Sequence, residues 1–255
     1  MILVGAAVGI WQLLLPPSSD ATSEVSQVRK VSLSGYNDRA EEAWRIDAET
    51  GRMRGGEESE LSDVSVRLLS DDGDDVLAAC DTMSYSGQEA IMEGSVKLEE
   101  KDGISLTTNE ARWDTAGSEI SASDVTISIQ SSSVVASLFS YQTDIRRAKL
   151  SGGVRAAIAG EPAIEVNSNQ ADANRDSIDM KGDVLVQIRQ ETYTAQNLYH
   201  HFSSETTTLS GQVTGAFANG QISAHKLVIE KDNIEASGGV EIRLTEGFFE
   251  ESNGA

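Results

Sequence analysis

The sequence contains very little cysteine, proline or aromatic residue, and it is short of basic charge. Its 255 residues include one cysteine, three prolines and 5% aromatics. A single cysteine excludes an intramolecular disulfide, and the shortage of rings requires a core of small aliphatic side chains. Twenty basic residues face 41 acidic ones, for a formal net charge of −21. This charge argues against a nucleic-acid partner, because a phosphate backbone would be repelled.

The sequence also lacks residues spaced for catalysis or metal binding. His200 and His201 are adjacent and would point to opposite faces of a strand, so they cannot bind one metal ion together. The third histidine, His225, is left alone, and no set of nucleophile, base and orienting residue can be drawn from the spacing. The acidic run 71–75 lacks the spaced ligands and closing glutamate of a calcium loop, and it is more typical of a solvated hairpin tip. We therefore expect no enzyme, no metal and no cofactor.

The segment Ala90 to Ala111 has the pattern of a strand, a tight turn and a second strand. Apolar residues such as Val96 and Leu98 alternate with polar ones at period two, as in a half-buried strand. The alternation changes phase at Thr108, after which Trp113 is an inward position. One inserted residue, a bulge, accounts for such a change and lets a strand bend around a corner.

The same layout returns seven times. Each copy has a strand centred on a valine, 27 to 32 residues from the next: Val64, Val96, Val125, Val154, Val184, Val213 and Val240. In five copies a glycine lies two positions before the valine, which suits a bulge or a sharp bend. The intervening strands each have a small residue at the bend: Ala48, Cys80, Thr108, Ala136, Ser168, Ala195 and Ala224. We therefore predict that Cys80 is a small core residue and not a reactive thiol.

These repeats predict an all-β protein. A repeat of two strands cannot cover its own apolar face, so successive repeats must stack into an elongated β structure lined by small aliphatic residues. The repeat body covers residues 31–245, and Pro162 marks the one candidate boundary, near residue 160. We favour a single continuous body. Residues 246–255 are expected to form a disordered tail.

The N-terminus carries the one long apolar run. Residues 2–15 are apolar except for Gln12, and Pro16 and Pro17 end any helix there. Fourteen helical residues rise about 21 Å, less than the ~30 Å of the hydrocarbon core. Two interpretations are open: the apolar part of a cleaved signal peptide, or the remains of a membrane anchor. We favour an uncleaved anchor over residues 1–17 and a polar tether over 18–30. The first basic residue is Arg29, which leaves the main body outside the cytoplasm.

Several segments resemble the LptC family, the single-pass inner-membrane component of the lipopolysaccharide export bridge. The resemblance is carried by the anchor and tether together with segments 44–48, 61–64, 90–96 and 106–113. The later repeats, notably 164–171 and 178–184, are similar to the related periplasmic protein LptA and to the OstA-like domain of the outer-membrane component. This chain has more repeats than a typical LptC member. The resemblance implies an inner-membrane protein whose main body is periplasmic.

The resemblance further implies a V-shaped β-jellyroll whose two sheets enclose a hydrophobic groove. The acyl chains of lipid A would lie in this groove, and burial is worth about 0.8 kcal/mol per CH₂, so no catalytic group is needed. The candidate lining residues are the inward ones: Met83, Tyr85, Met92, Val96, Leu98, Leu106, Trp113, Val125, Ile127, Phe139, Val154, Met180, Val184 and Val213.

The terminal strands of such a structure would be the partner sites, because unpaired N–H and C=O groups attract another strand. Val31 and Leu33 would meet the periplasmic domains of the ABC transporter permease. Val240, Ile242 and Leu244 would meet another periplasmic bridge jellyroll.

Two other interpretations fit the same repeats. A structural or adhesin-like β-solenoid would have the same period and alternation, but a dry core and no ligand. A β-helical carbohydrate-active enzyme would need carboxylates clustered on one face, and the spacing shows none.

Overall fold

All regular elements in the described part of the chain are β-strands. The computed structural model describes residues 26–54, 58–69, 75–100, 104–115, 118–231 and 233–245. The strands are β1 Ser26–Tyr36, β2 Glu42–Arg54, β3 Glu58–Leu68, β4 Val76–Tyr85, β5 Glu89–Glu100, β6 Ile104–Asp114, β7 Glu119–Ile129, β8 Ser132–Gln142, β9 Arg147–Ile158, β10 Ile164–Ala173, β11 Ser177–Ile188, β12 Glu191–His201, β13 Thr206–Phe217, β14 Gly220–Glu230, β15 Asn233–Ser237 and β16 Glu241–Leu244. The predicted anchor 1–17, tether residues 18–25, acidic residues 71–74 and the tail 246–255 lie outside the described residues.

The strands form an open antiparallel sheet, and strands β1 to β15 pair with their neighbours in sequence. The order runs from β1 to β15 without a crossover, and β16 pairs with β14. Strand β15 pairs with residues 226–230 of β14, and β16 pairs with residues 220–223. The last two strands therefore cover the two halves of β14. The all-β prediction is confirmed.

The bends that contain the predicted glycines are β-bulges. In β5, Gly94 and Ser95 both have positive φ angles, of 74° and 48°. They lie opposite the single residue Asn109 of β6, and the regular ladder resumes where Val96 faces Thr108. The predicted phase change at Thr108 is confirmed, since Thr108 and then Ala111 are buried. Strand β6 therefore contains the predicted inserted residue, because two exposed residues separate Thr108 from Ala111. Strand β5 has one residue more again between the same paired positions, and this difference makes the bulge.

The same bulge recurs along the chain. Two consecutive residues with positive φ occur at Gly94–Ser95, Gly152–Gly153, Gly182–Asp183, Gly211–Gln212 and Gly238–Gly239. Glycine adopts this left-handed conformation without the steric penalty of a Cβ atom. Beyond the bulge the valine faces the predicted small residue, as in Val184 opposite Ala195 and Val213 opposite Ala224.

The chain divides into two compact units. Unit 1 comprises Met1–Ser123 and Gln142–Ile145, and unit 2 comprises Asp124–Tyr141 and Arg146–Ala255. The division falls within β7 and near the end of β8. The segment around Pro162 is the turn of the β9–β10 hairpin, where Ile158 pairs with Ile164.

In unit 1 the strands fold back on themselves near the predicted bend residues, such as Ala48 of β2 and Cys80 of β4. Along the pairing ladder, Tyr85 of β4 lies opposite Ser59 of β3, which lies opposite Met53 of β2. Met53 is nine residues from Trp44 on the same strand, or about 30 Å if that strand were straight. The rings of Trp44 and Tyr85 are nevertheless 5.8 Å apart. The strand segments before and after these bends, here called the two arms, therefore face each other across the core.

Unit 2 has the same arrangement. On β11, Ile188 pairs with Ile164 and Ile178 pairs with His200. Ten residues of β11 separate these two positions, yet Ile164 and His200 line one small cavity. The arms therefore also face each other in this unit. Its buried side chains are mainly aliphatic and lie on the inner face of each strand.

Candidate functional site

The predicted lining residues are buried side chains of the inner face. Thirteen of the fourteen are buried, and Tyr85 is half-buried. Those in unit 1 are Met83, Tyr85, Met92, Val96, Leu98, Leu106 and Trp113; those in unit 2 are Val125, Ile127, Phe139, Val154, Met180, Val184 and Val213. The inner face is thus apolar in both units, and its side chains pack against each other. A ligand would have to displace these side chains or separate the arms.

In unit 1 the outer ends of the two arms meet at three aromatic rings, here called the aromatic seam: Trp44, Tyr85 and Trp113. Trp44 belongs to one arm, and its ring contacts Tyr85 at 5.8 Å and Trp113 at 5.5 Å, both edge to face. Trp113 is buried, whereas Trp44 and Tyr85 are half-buried. The seam therefore lies between the core and solvent, where amphipathic rings are favoured.

The neighbours of the seam explain its geometry. Gly35 of β1 lies under the indole of Trp44, and a Cβ atom at Gly35 would overlap that ring. The hydroxyl of Tyr85 donates to the carbonyl of Gly87 at 3.3 Å, and the hydroxyl of Thr115 donates to the same carbonyl at 3.1 Å. Burial also raises the pKa of Tyr85. One side of the seam is thus held by hydrogen bonds to a turn.

In unit 2 the place where the two arms meet contains a buried histidine, His200. Nδ1 of His200 is 2.9 Å from the hydroxyl of Thr207, and its ring contacts Phe202 edge to face at 5.2 Å. Burial, with a smaller effect of the neighbouring His201, lowers the pKa of His200 to about 4. The cavity beside it has a volume of about 10 Å³, the space of a single water molecule. An acyl chain does not fit there without separation of the arms.

The titratable groups are placed for packing and local hydrogen bonding. His200 is buried and His201 is not, which confirms that the two point to opposite faces. Cys80 is buried opposite Val64, which confirms its predicted core position, and burial raises its pKa to about 11. Burial, then a hydrogen bond to Glu191, raises the pKa of Tyr193. Across residues 26–245, within the described ranges, no three His, Cys, Asp or Glu side chains could hold a metal ion.

The C-terminal strands leave inner-face residues uncovered. Ile234 lies opposite Ile229, and directly opposed residues of an antiparallel pair share a face. Ile229 is 2% exposed, but Ile234 is 40% exposed. In β13 the residue opposite Ile229 is Thr207, which is fully buried. The face that β13 and β14 bury is therefore open at β15.

The predicted C-terminal edge residues belong to this uncovered row. Ile242 of β16 lies opposite Ile222 and is 57% exposed. Leu244 and Val240 are also exposed, and Val240 lies in the short link between β15 and β16. We call Ile234, Val240, Ile242 and Leu244 the terminal apolar row.

The N-terminal edge is covered more fully. Val31 and Leu33 of β1 lie opposite Ala48 and Ile46 and are half-buried. Val28 is exposed. Of the described strands, only β2 pairs with β1.

No protein-family model and no curated protein matches this chain. In the described ranges, none of the structure is a helix with the length and apolarity to cross a membrane.

Sequence reasoning missed Trp44 and Ile234. Trp44 alternates with Ile46 and Ala48, which are buried. The period-two pattern that identified the other inner residues therefore also includes Trp44. Ile234 likewise alternates with Ala236. Alternation could not reveal that Trp44 meets rings from two distant strands, because that contact depends on the folding back of the arms.

Proposed function

We propose that this protein is a lipid-transport bridge component. It receives lipopolysaccharide from an inner-membrane ABC transporter, holds the acyl chains against its inner face, and passes the lipid to the next periplasmic jellyroll. In this proposal the folded-back sheet is a V-shaped jellyroll and residues 1–17 are a membrane helix. The observation that carries the proposal is the terminal apolar row.

The terminal apolar row supports a bridge because its inner-face side chains are exposed to solvent. Full burial of one large aliphatic side chain is worth about 1.5–3 kcal/mol, so leaving Ile234 and Ile242 exposed forgoes stability that the preceding strands gain. The outer edge of β15 and β16 also offers backbone groups to a further strand. A partner strand with its own apolar inner face would bury these side chains and pair with the backbone groups. It would also continue the same interior into the next protein.

The inner face supports a lipid ligand through its chemistry. It is mainly apolar in both units, and none of the buried side chains in the described ranges is charged at neutral pH. Acyl chains need only such a surface, at about 0.8 kcal/mol per methylene. Because the inner face is closed by packing, loading requires the arms to separate, while the sugar and phosphates of the lipid stay in solvent.

A second candidate is a structural β-protein with a dry core. The burial of thirteen of the fourteen lining residues favours it, since a core that packs to completion needs no ligand. The same terminal apolar row would then serve assembly alone.

Photo-crosslinking separates the two candidates. Benzoylphenylalanine replaces Phe139, which is 8% exposed, or Leu138, the next residue of β8, which is 56% exposed. The first probe faces the interior and the second faces solvent, so they form a matched pair. In cells making lipopolysaccharide, we expect a lipid adduct at position 139 and none at 138. A folded protein that repeatedly captures no lipid at 139 would favour the dry structural protein.

A further inference from the structure

We propose that the aromatic seam of unit 1 is the entrance through which an acyl chain reaches the interior of that unit, and that Trp44 is the side chain that moves aside. This inference rests on the proposed function, because it assigns the place at which that function begins. The ligand class is a saturated lipid chain whose headgroup remains in solvent.

The position of the seam follows from how the arms are joined. At the bends the two arms are one continuous backbone, and within each arm neighbouring strands are joined by ladder hydrogen bonds. Away from the open edges of the sheet, a chain with its headgroup in water can therefore enter only where the arms end. In unit 1 those ends are in contact at Trp44 on one side, and at Tyr85 and Trp113 on the other.

The two sides of the seam are held differently. Tyr85 is tied to the β4–β5 turn through the carbonyl of Gly87, which also accepts from Thr115. Trp44 is held by edge-to-face ring contacts and by packing on Gly35. Ring contacts are individually weak and are replaced when an acyl chain packs against the same rings. The indole of Trp44 therefore separates from the seam more readily than Tyr85 does.

The partial exposure of the seam favours the interpretation as an entrance and not as a part of a closed core. Trp44 and Tyr85 are half-buried, whereas Met83, Met92 and Leu106 behind them are buried. An acyl chain that arrives at the seam would therefore touch these rings before the buried side chains behind them. An aromatic ring with one side exposed to water and the other in contact with apolar side chains suits a boundary between solvent and the interior.

A crosslink across the seam tests the inference in the full-length protein. Trp44 and Tyr85 are both changed to Cys in a Cys80→Ser background and joined with a short bis-maleimide. Benzoylphenylalanine at Leu106, inside unit 1, reports loading from lipid A in mixed detergent micelles. The matched control joins Ser84→Cys to Ile91→Cys, since these two residues face each other on neighbouring strands of the same arm. Circular dichroism confirms that every variant is folded.

We expect the seam crosslink to reduce lipid A capture at position 106 at least tenfold, and the control crosslink to leave it unchanged. The same double variant without the reagent, and Trp44→Ala alone, should load several-fold faster than the native seam. Equal capture by the seam-linked and control-linked proteins would overturn the entrance and leave the proposed function standing. Absence of capture in every variant, including the one with a native seam, would remove the proposed function and the entrance with it.

Discussion

Acid should destabilise this protein through one buried side chain, His200. Its pKa falls from an ordinary 6.5 to about 4 because burial disfavours the charged imidazole. The unfolded chain therefore binds a proton that the folded chain does not, throughout the range between these two values. The neutral ring contributes its full stability above pH 6.5, and the contribution is lost as pH falls from 6.5 towards 4.

The size of this effect follows from the shift. A difference of 2.5 pKa units between the folded and unfolded states corresponds to about 3 kcal/mol of unfolding free energy. Most of this free energy, about 2–3 kcal/mol, is lost between pH 7.5 and pH 4.5. His200 is only 2% exposed, so solvent screening does not reduce this figure much. In a protein of ordinary stability this loss is a large fraction of the total.

The assay is urea unfolding at pH 7.5 and 4.5 for the native protein, His200→Gln and His201→Gln. Carboxylates also titrate in this range, but their contribution is common to all three proteins. We expect His200→Gln to lose about 2–3 kcal/mol less than the native protein between the two pH values. His201→Gln removes the neighbouring, more exposed ring and should behave like the native protein.

The direct measurement is titration of the imidazole by NMR. An identical pH dependence in the native protein and His200→Gln, or an imidazole of His200 that titrates near 6.5, would refute the reasoning. Either result would mean that the ring is solvated in the folded protein.

Three further predictions concern a thiol, a bulge and the partner edge. Cys80 should not react with Ellman's reagent at pH 8 in the folded protein and should react fully in urea, because burial raises its pKa to about 11; rapid labelling of the folded chain would contradict this. Gly152→Ala and Gly153→Ala should each cost about 1 kcal/mol in urea unfolding, since both have positive φ. Gly152→Ala should cost more, because its Cβ atom would lie 3.0 Å from that of Ser137, whereas Gly153 has open space; equal costs would argue against that contact. Ile242→Asp should abolish capture of the next bridge protein in a pull-down with little loss of stability, because Ile242 is 57% exposed; unchanged capture would refute the edge assignment.

The repeat pattern was sufficient to predict the strands, the bends and the inner face. Alternation at period two assigned Val96, Leu98 and Trp113 to the interior, and all three are buried. The glycines two positions before the valines marked the bulges, because few other residues adopt a positive φ without strain. Both signals are local, which is why a single sequence contains them.

The pairing at the bulge was beyond that pattern. The change of phase at Thr108 shows one inserted residue in β6, but only the register shows that β5 has a further residue, at Gly94–Ser95, between the same paired positions. Local periodicity describes one strand, whereas a bulge is a property of a pair.

The sequence by itself determined that this protein is built of stacked β repeats with one apolar face and an acidic surface. Only the tertiary structure decided that the arms close over that face, that Trp44 meets Tyr85 and Trp113, and that the last two strands leave Ile234 and Ile242 uncovered. The physical reason is the range of the interactions. Side-chain alternation and left-handed glycines act within a few residues, whereas packing across a folded sheet joins residues that lie far apart along the chain.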